Sequence, residues 1–520
     1  MNAPISRRAV LLAGAGCALD GLVARRGIAQ TSARSSLPIP PVLRADAAGT
    51  VRLDARTGTM PFLANRKTPT YGINGPFLGP AIRVRRGETV TMHVTNNIPD
   101  NITIHWHGLI VPGMVDGGPH QVIKPGKLWQ AHLSIDQPAA TLWFHPHFYP
   151  TTTRLVIKGL AGLLIVDDEE AARLPLPSRW GVDDIPLIIQ DRRFKPDAKF
   201  FDRINAITAT NGYVGDVSLV NGAQYPEART AKGWIRLRIL DGSNARSYRL
   251  GASDNRSLYV IASDGGLLAS PVEVKELLIH AGERFEVMVD ARNGRAFDIV
   301  TLPVDEPIMR LPPFDRPLPL VTIRPDGAEG TGQLPSSLAV LPPLPQRPPA
   351  VSQELVMSMF RDMQGMMPLA DAGLPAMIKS RRTDPAVAAR VVDLIVNTPA
   401  LPEAEQLSWN GVNGKPFSLD RVDFSAARNQ ELRWRISEGT DRMLHPVHIH
   451  GCQFRIISDN GRPPAPERTG WKDTAPITAG GFSEILLRFP HEATRADPYM
   501  AHCHVLEHED SGMMAQFTVP

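Results

Sequence analysis

The chain has 520 residues, enough for about three domains of ordinary size. Its 43% hydrophobic content suits a globular protein, and 48 prolines and 42 glycines with few long helical patterns favour short strands joined by turns. The formal charge of +3 belongs to the first 29 residues, which carry four arginines and one aspartate, so no nucleic-acid or anionic-membrane partner is implied for the rest.

Within residues 1–29, "SRRAVLLAGAGCALDGLVARRGIA" sets Arg7 and Arg8 before an apolar stretch and a small-x-small site at Gly27-Ile28-Ala29. This predicts a twin-arginine export signal cut after Ala29, delivering a folded, cofactor-loaded protein to the periplasm. The apolar run is too short to span a membrane and Asp20 interrupts it. No later segment predicts a transmembrane helix, so no membrane association is expected after cleavage. Only Cys452 and Cys503 remain beyond the signal, so stability is expected from apolar burial rather than disulfides.

A loose repeat then appears three times, beginning at Asn74, Asn221 and Asn413. Each copy is an Asn-Gly turn, a polar stretch and an alternating strand such as Ile235-Leu237-Ile239 or Leu432-Trp434-Ile436. The spacing is too long for a solenoid and fits three copies of a β-sandwich. The prediction is all-β, with Greek-key sandwich domains at 30–170, 171–350 and 351–520. A Pro-rich stretch from Leu311 to Ala350 is read as a stiff linker closing the second. There is no phosphate-binding loop, zinc-finger spacing or nucleophile elbow.

Four histidine pairs are separated by one residue: His105/His107, His145/His147, His448/His450 and His502/His504. Fifteen scattered histidines would give fewer than one such pair. Residues i and i+2 of a strand share a face, so each pair presents two imidazoles side by side. One pair alone would read as core or surface histidines. Two pairs in the first domain, two in the third and none in the second point to a multinuclear metal site between the first and third.

Cys503 sits between His502 and His504 and faces the other side of their strand. Its thiolate can bind one metal while its neighbours bind a second centre, a covalent path for electrons. His445, His508 and Met513 are its candidate partners, and one thiolate, two imidazoles and a weak axial thioether make a blue-copper ligand set. Zinc does no redox chemistry and would need no such conductor.

"HWHGLIVPGMVDGGP", "TLWFHPH", "HPVHIHG" and "AHCHVLEHEDSGMM" together resemble the three-domain multicopper oxidases of bacteria, most closely the copper-efflux (cuprous) oxidase type. The resemblance covers nearly the whole chain after residue 29. It implies three cupredoxin-like domains and four coppers. By motif, the type 1 copper falls to His445, Cys503, His508 and Met513, and the type 2 copper to His105 and His448. The type 3 pair takes His107, His145 and His504 on one ion and His147, His450 and His502 on the other. Such enzymes couple one-electron oxidations, relayed through Cys503, to reduction of O₂ to two waters.

Asp116 and Glu509 match family positions in proton delivery; read locally, they are a turn residue and a loop carboxylate. Six of the sixteen methionines lie between Met357 and Met377, and thioethers favour Cu(I), although methionine stripes also fill cores. The resemblance implies a cuprous-ion site at Met357, Asp362, Asp441 and Met443. Cys452 departs from the pattern, where threonine is common, and is read as a small buried residue. The expectation is a monomeric periplasmic oxidase of cuprous ion, with laccase-like oxidation of phenols or aromatic amines as the alternative substrate class. A copper nitrite reductase needs no paired-histidine cluster, and a non-enzymatic cell-division scaffold would lack several ligands; here all twelve positions are filled.

Overall fold

The computed structural model describes residues 34–520; the expected export signal lies outside the described residues. Asn74, Asn221 and Asn413, which open the three repeats, adopt φ of 58°, 50° and 52°. Asparagine tolerates this left-handed conformation and can bond locally. Each folds its amide onto the same preceding strand in the same way. Asn74 accepts from Asp54 N at 2.7 Å and donates to Arg52 O at 2.9 Å. Asn221 does so with Ile188 N and Pro186 O, and Asn413 with Val356 N and Glu354 O.

That corner begins a path repeated three times. The strands carrying it are Thr50–Leu63, Asp184–Arg192 and Val351–Met359. Each has an antiparallel neighbour (Arg66–Ile73, Val217–Val220, Asn410–Val412). The chain then visits the opposite sheet (Ala81–Arg85, Glu227–Lys232, Phe424–Ser425). It returns parallel to the corner strand as Thr89–Asn97, Trp234–Asp241 and Leu432–Glu438. A parallel return requires a crossover instead of a hairpin. Among the described residues six sheets result, in three pairs: four and four strands over residues 42–167, six and five over 184–329, five and five over 351–518. Each pair encloses its own apolar core, with Leu142 and Phe144, Leu237 and Phe285, and Trp434 and Phe517 among the buried residues.

Two features differ from the sequence expectation. Leu311–Ala350 is not linker throughout, because Leu318–Glu329 is a strand paired with both Glu227–Lys232 and Phe297–Leu302. Leu320-Val321-Thr322-Ile323 supply strand-forming side chains, and Pro319 sits where the ladder shifts register, the place a proline is tolerated. Residues 330–350 form no helix or strand. The third region also opens with a helical insert, Asp362–Asp371, Leu374–Ser380 and Pro385–Asn397. The last is capped by the Asp384 carboxylate, starts on Pro385 and buries Val387, Val391 and Ile395 on one face. The insert packs on the helix Ala206–Asn211 and on residues 304–311. No helix among the described residues is long and apolar enough to cross a membrane.

Candidate metal centre

In the antiparallel ladder between His445–Ile449 and Tyr499–Cys503, His448 lies opposite His502 and Val447 opposite Cys503. The strand period of two therefore sends His448, His502 and His504 to one side and Cys503 with His445 to the other. In the first sheet pair His105 and His145 exchange backbone hydrogen bonds at 2.8 and 3.2 Å. All four paired motifs meet, and all eight imidazoles are buried.

The acceptors that each ring touches decide which of its nitrogens is bare. His105 Nδ1 donates to Asp116 O at 2.9 Å and His448 Nδ1 to Asp473 O at 2.8 Å. A carbonyl only accepts, so both Nε2 atoms carry lone pairs, yet they face each other at 3.3 Å. His450 Nδ1 donates to Asp116 Oδ2 at 2.7 Å and His502 Nδ1 to Cys503 O at 3.0 Å. Their bare Nε2 atoms are 3.2 Å apart, and His147 Nε2 is 3.1 Å from that of His502. His107 Nε2 donates to Asp473 Oδ1 at 3.0 Å and His145 Nδ1 to Pro146 O at 2.9 Å. Their other nitrogens, with both of His504, are buried without a partner. Converging lone pairs repel unless a cation lies between them. Bonds of about 2.0–2.1 Å at near-tetrahedral angles place two ligand nitrogens about 3.3 Å apart, the spacing found here.

On the other side of the strand, Cys503 Sγ is 3.5 Å from both His445 Nδ1 and His508 Nδ1. His445 Nε2 donates to Asp441 Oδ1 at 3.1 Å and His508 Nε2 to Thr210 O at 3.1 Å. Both Nδ1 atoms are thus bare and aimed at the sulfur; metal bonds of about 2.3 Å to sulfur and 2.0–2.1 Å to nitrogen give this separation. Met513 is buried in the same cluster; its backbone carbonyl accepts from Cys503 N and its N–H donates to His508 O. The buried cysteines Cys452 and Cys503 are both free thiols. The groups His107–His145–His504, His147–His450–His502 and His445–Cys503–His508 each bring their ligand atoms within 4.8 Å of one another.

Burial, then neighbouring imidazoles, holds His145, His448 and His450 well below the usual imidazole range. His107 follows for the same reasons, with the Arg284 charge adding to them. Burial brings His147, His504 and His508 down to about 3. These seven rings are therefore neutral at neutral pH, with lone pairs available to a metal. Burial pushes the Cys503 thiol up. Asp116 and Glu509 flank the cluster: Asp116 Oδ1 is buried without a partner, and the Glu509 oxygens lie 3.4 and 3.3 Å from His147 Nδ1 and His502 Nδ1.

The four residues expected to bind cuprous ion are only partly brought together. Asp441 accepts from His445, and its second oxygen is buried without a partner. Met443 and Met357 are buried in the cluster that holds Cys503. Asp362 instead opens the helix beyond that strand, and among the described residues its carboxylate makes no hydrogen bond or ion pair with the other three. Sequence reasoning missed Glu306 and Met309, which line a small cavity with Met443 and His508, and Arg284 and Asp473 behind His107. No motif spacing marked them.

Models of the multicopper oxidase family match residues 54–171, 202–318 and 394–520. The multicopper oxidase mco of Staphylococcus aureus is 32% identical over 471 residues, covering 90% of this chain and 88% of its own. The cell division protein FtsP of Salmonella typhimurium is 32% identical over 514 residues, covering 99% and 98%. Among solved structures, the laccase-like multicopper oxidase CueO from Ochrobactrum sp. is 37% identical with a TM-score of 0.79, covering 93% of this chain and 100% of that one. The multicopper oxidase of Campylobacter jejuni, described as a metallo-oxidase, is 26% identical with a TM-score of 0.76, covering 94% and 95%. The sheets are those of cupredoxin-like sandwiches, the buried imidazole and thiol donors suit copper, and the chain belongs to the multicopper oxidase family of enzymes, which use O₂ and a reducing substrate.

Proposed function

We propose that the chain is a four-copper oxidase whose physiological reductant is cuprous ion. Copper supplies one-electron oxidation of substrate at the Cys503 site and four-electron reduction of O₂ to water at the histidine cluster. The reading assigns His445, Cys503, His508 and Met513 to the first site and His105 and His448 to a mononuclear ion. His107, His145 and His504, and His147, His450 and His502, take a binuclear pair. The observation that carries it is the set of bare nitrogens facing one another at 3.1–3.3 Å, on rings whose other nitrogen donates to a carbonyl or carboxylate oxygen or is buried without a partner.

Cys503 joins the two centres through its own backbone, since His502 and His504 are its covalent neighbours. Asp116 and Glu509 present oxygens to the cluster rings from two sides and are the groups that would pass protons to it. For the substrate, Met443 offers a soft thioether and Asp441 an unpartnered buried oxygen, both beside His445. Met357 lies in the same cluster; Asp362 would join from the helical insert. Copper detoxification in the periplasm, reached through the Arg7-Arg8 signal, is the matching role, performed as a monomer with boundaries near residues 170 and 350. Oxidation of phenols is the second reading. The 37% identical laccase-like relative, with oxidase activity towards lignin model compounds, favours it.

Oxygen uptake with Cu(I) and with a phenol separates them. Met357→Leu/Met443→Leu is expected to lose Cu(I) turnover and keep phenol turnover. Unchanged Cu(I) turnover would remove the cuprous site, and phenol turnover far above Cu(I) in the wild type would favour the second reading.

A further inference from the structure

The middle sheets supply none of the paired histidines, yet they reach the cluster. Arg284 begins the middle strand Arg284–Asp290 and is fully buried. Its five N–H groups are all used. Nε donates to Thr141 O at 3.1 Å. Nη1 donates to Gly282 O at 3.0 Å and Asp473 Oδ1 at 2.7 Å. Nη2 donates to Asp264 O at 3.0 Å and Asp473 Oδ2 at 2.5 Å. One guanidinium thus ties the first, middle and last sheet pairs together. Only a planar five-donor fork can do so.

Asp473 passes this fixation to the cluster. Its Oδ1 accepts from His107 Nε2 at 3.0 Å, and its backbone carbonyl accepts from His448 Nδ1 at 2.8 Å. His107 thereby differs from the neighbouring rings: its Nε2 holds the proton and its buried, partnerless Nδ1 is the free donor. A carboxylate locked in a bidentate pair cannot donate, so this tautomer is the one permitted. The same segment also touches a second ligand. Gly282, at φ 84°, lies where a Cβ would meet the His504 ring at 2.8 Å. Residues 282–284 therefore reach two of the three imidazoles in the His107–His145–His504 group, His504 through the close approach of Gly282 and His107 through Asp473.

We propose that Arg284 is a positioning residue which, through Asp473, sets the tautomer and aim of His107, so that the ligand-free middle sheets fix the geometry of one ion of the binuclear pair. Its partners are neutralised locally. Asp264, Glu283 and Asp473 balance Arg284, Lys472 and Arg468 in one buried cage of ion pairs. The inference rests on the ligand reading above.

The test loads wild type, Arg284→Lys, Asp473→Asn and the control Arg238→Lys with Cu(II). It reads copper per chain, chelator competition, the blue band and the near-ultraviolet band of the binuclear pair. Arg238 is another buried arginine, paired with Asp184 and Glu286 and touching no imidazole. In Arg284→Lys and Asp473→Asn, cluster copper is expected to bind about 10- to 100-fold more weakly, with the near-ultraviolet band lost and the blue band kept. Arg238→Lys is expected to lower thermal stability and leave both bands alone. An unchanged near-ultraviolet band and affinity in both variants overturns the proposal. So does equal loss of the band in the control, which would make the effect one of buried charge in general. If Arg284→Lys does not fold, Asp473→Asn, of the same size and shape, decides alone. A wild type without cluster copper would overturn the ligand reading and this inference together, whereas a fully loaded wild type with unaltered variants removes this inference only.

Discussion

His450 Nδ1 donates to Asp116 Oδ2 at 2.7 Å, while the other Asp116 oxygen is buried without a partner. The same residue's carbonyl fixes His105, so Asp116 positions two rings and still keeps one oxygen free for a proton. An amide in its place retains the acceptor toward His450 but cannot exchange a proton at neutral pH. Asp116→Asn is therefore expected to keep its copper and blue colour while O₂ consumption drops about 100-fold. Stopped-flow reoxidation checks this; undiminished reoxidation would make Asp116 only a positioning residue.

Acid should undo the metal-free protein before it undoes an ordinary sandwich. The folded imidazoles titrate at about 3 for His147, His504 and His508 and well below the usual range for His107, His145, His448 and His450. In the unfolded chain they titrate near 6.5. The unfolded state thus binds more protons between these values, and stability rises with pH there. The contribution is fully present above about pH 6.5 and is lost as pH falls toward about 3. Urea midpoints of the copper-free protein across that range are expected to fall steadily. A midpoint that stays flat, or climbs on acidification, contradicts neutral buried rings. Copper release follows the same direction, because protons compete for the same lone pairs.

The three asparagine corners should not be equally costly to lose. Asn221 is 7% exposed and bonds Ile188 N, Pro186 O and Pro38 O, whereas Asn413 is exposed. Replacing Asn221 by alanine leaves buried groups unpaired and forces alanine to positive φ, together about 3 kcal/mol. For Asn413→Ala water re-bonds the strand, and about 1 kcal/mol is expected. Chemical denaturation of both variants measures the difference; equal small losses would mean the corner is incidental to the fold.

These elements mark how far the sequence could be read. The histidine pairs, Cys503 and the Asn-Gly corners were legible because strand alternation and turn chemistry act over two to four residues. The strand Leu318–Glu329 was hidden by its prolines, which lie at a register shift rather than ending the strand. The helix Pro385–Asn397 carried its signals, Asp384 before Pro385 and a Val387-Val391-Ile395 stripe, but stood in a chain otherwise read as strands. Arg284, Asp473, Glu306 and Met309 were illegible for another reason: their roles come from long-range packing, such as the 189 positions separating Arg284 from Asp473, and no local spacing encodes that. Asp362 differs again: its spacing from Met357 suggested a partnership within one run of chain, whereas the chain turns from the strand Val351–Met359 into the helix that Asp362 opens.

Copper counting in wild type and Cys503→Ser, read with the visible spectrum, tests the whole arrangement. The wild type should hold four coppers per chain and be blue. Cys503→Ser should hold three, be colourless and consume no O₂ with either donor, because in the proposed arrangement its sulfur would both bind one ion and lead to the rest. A wild type with copper near zero, or a serine variant that stays blue and active, would contradict the account.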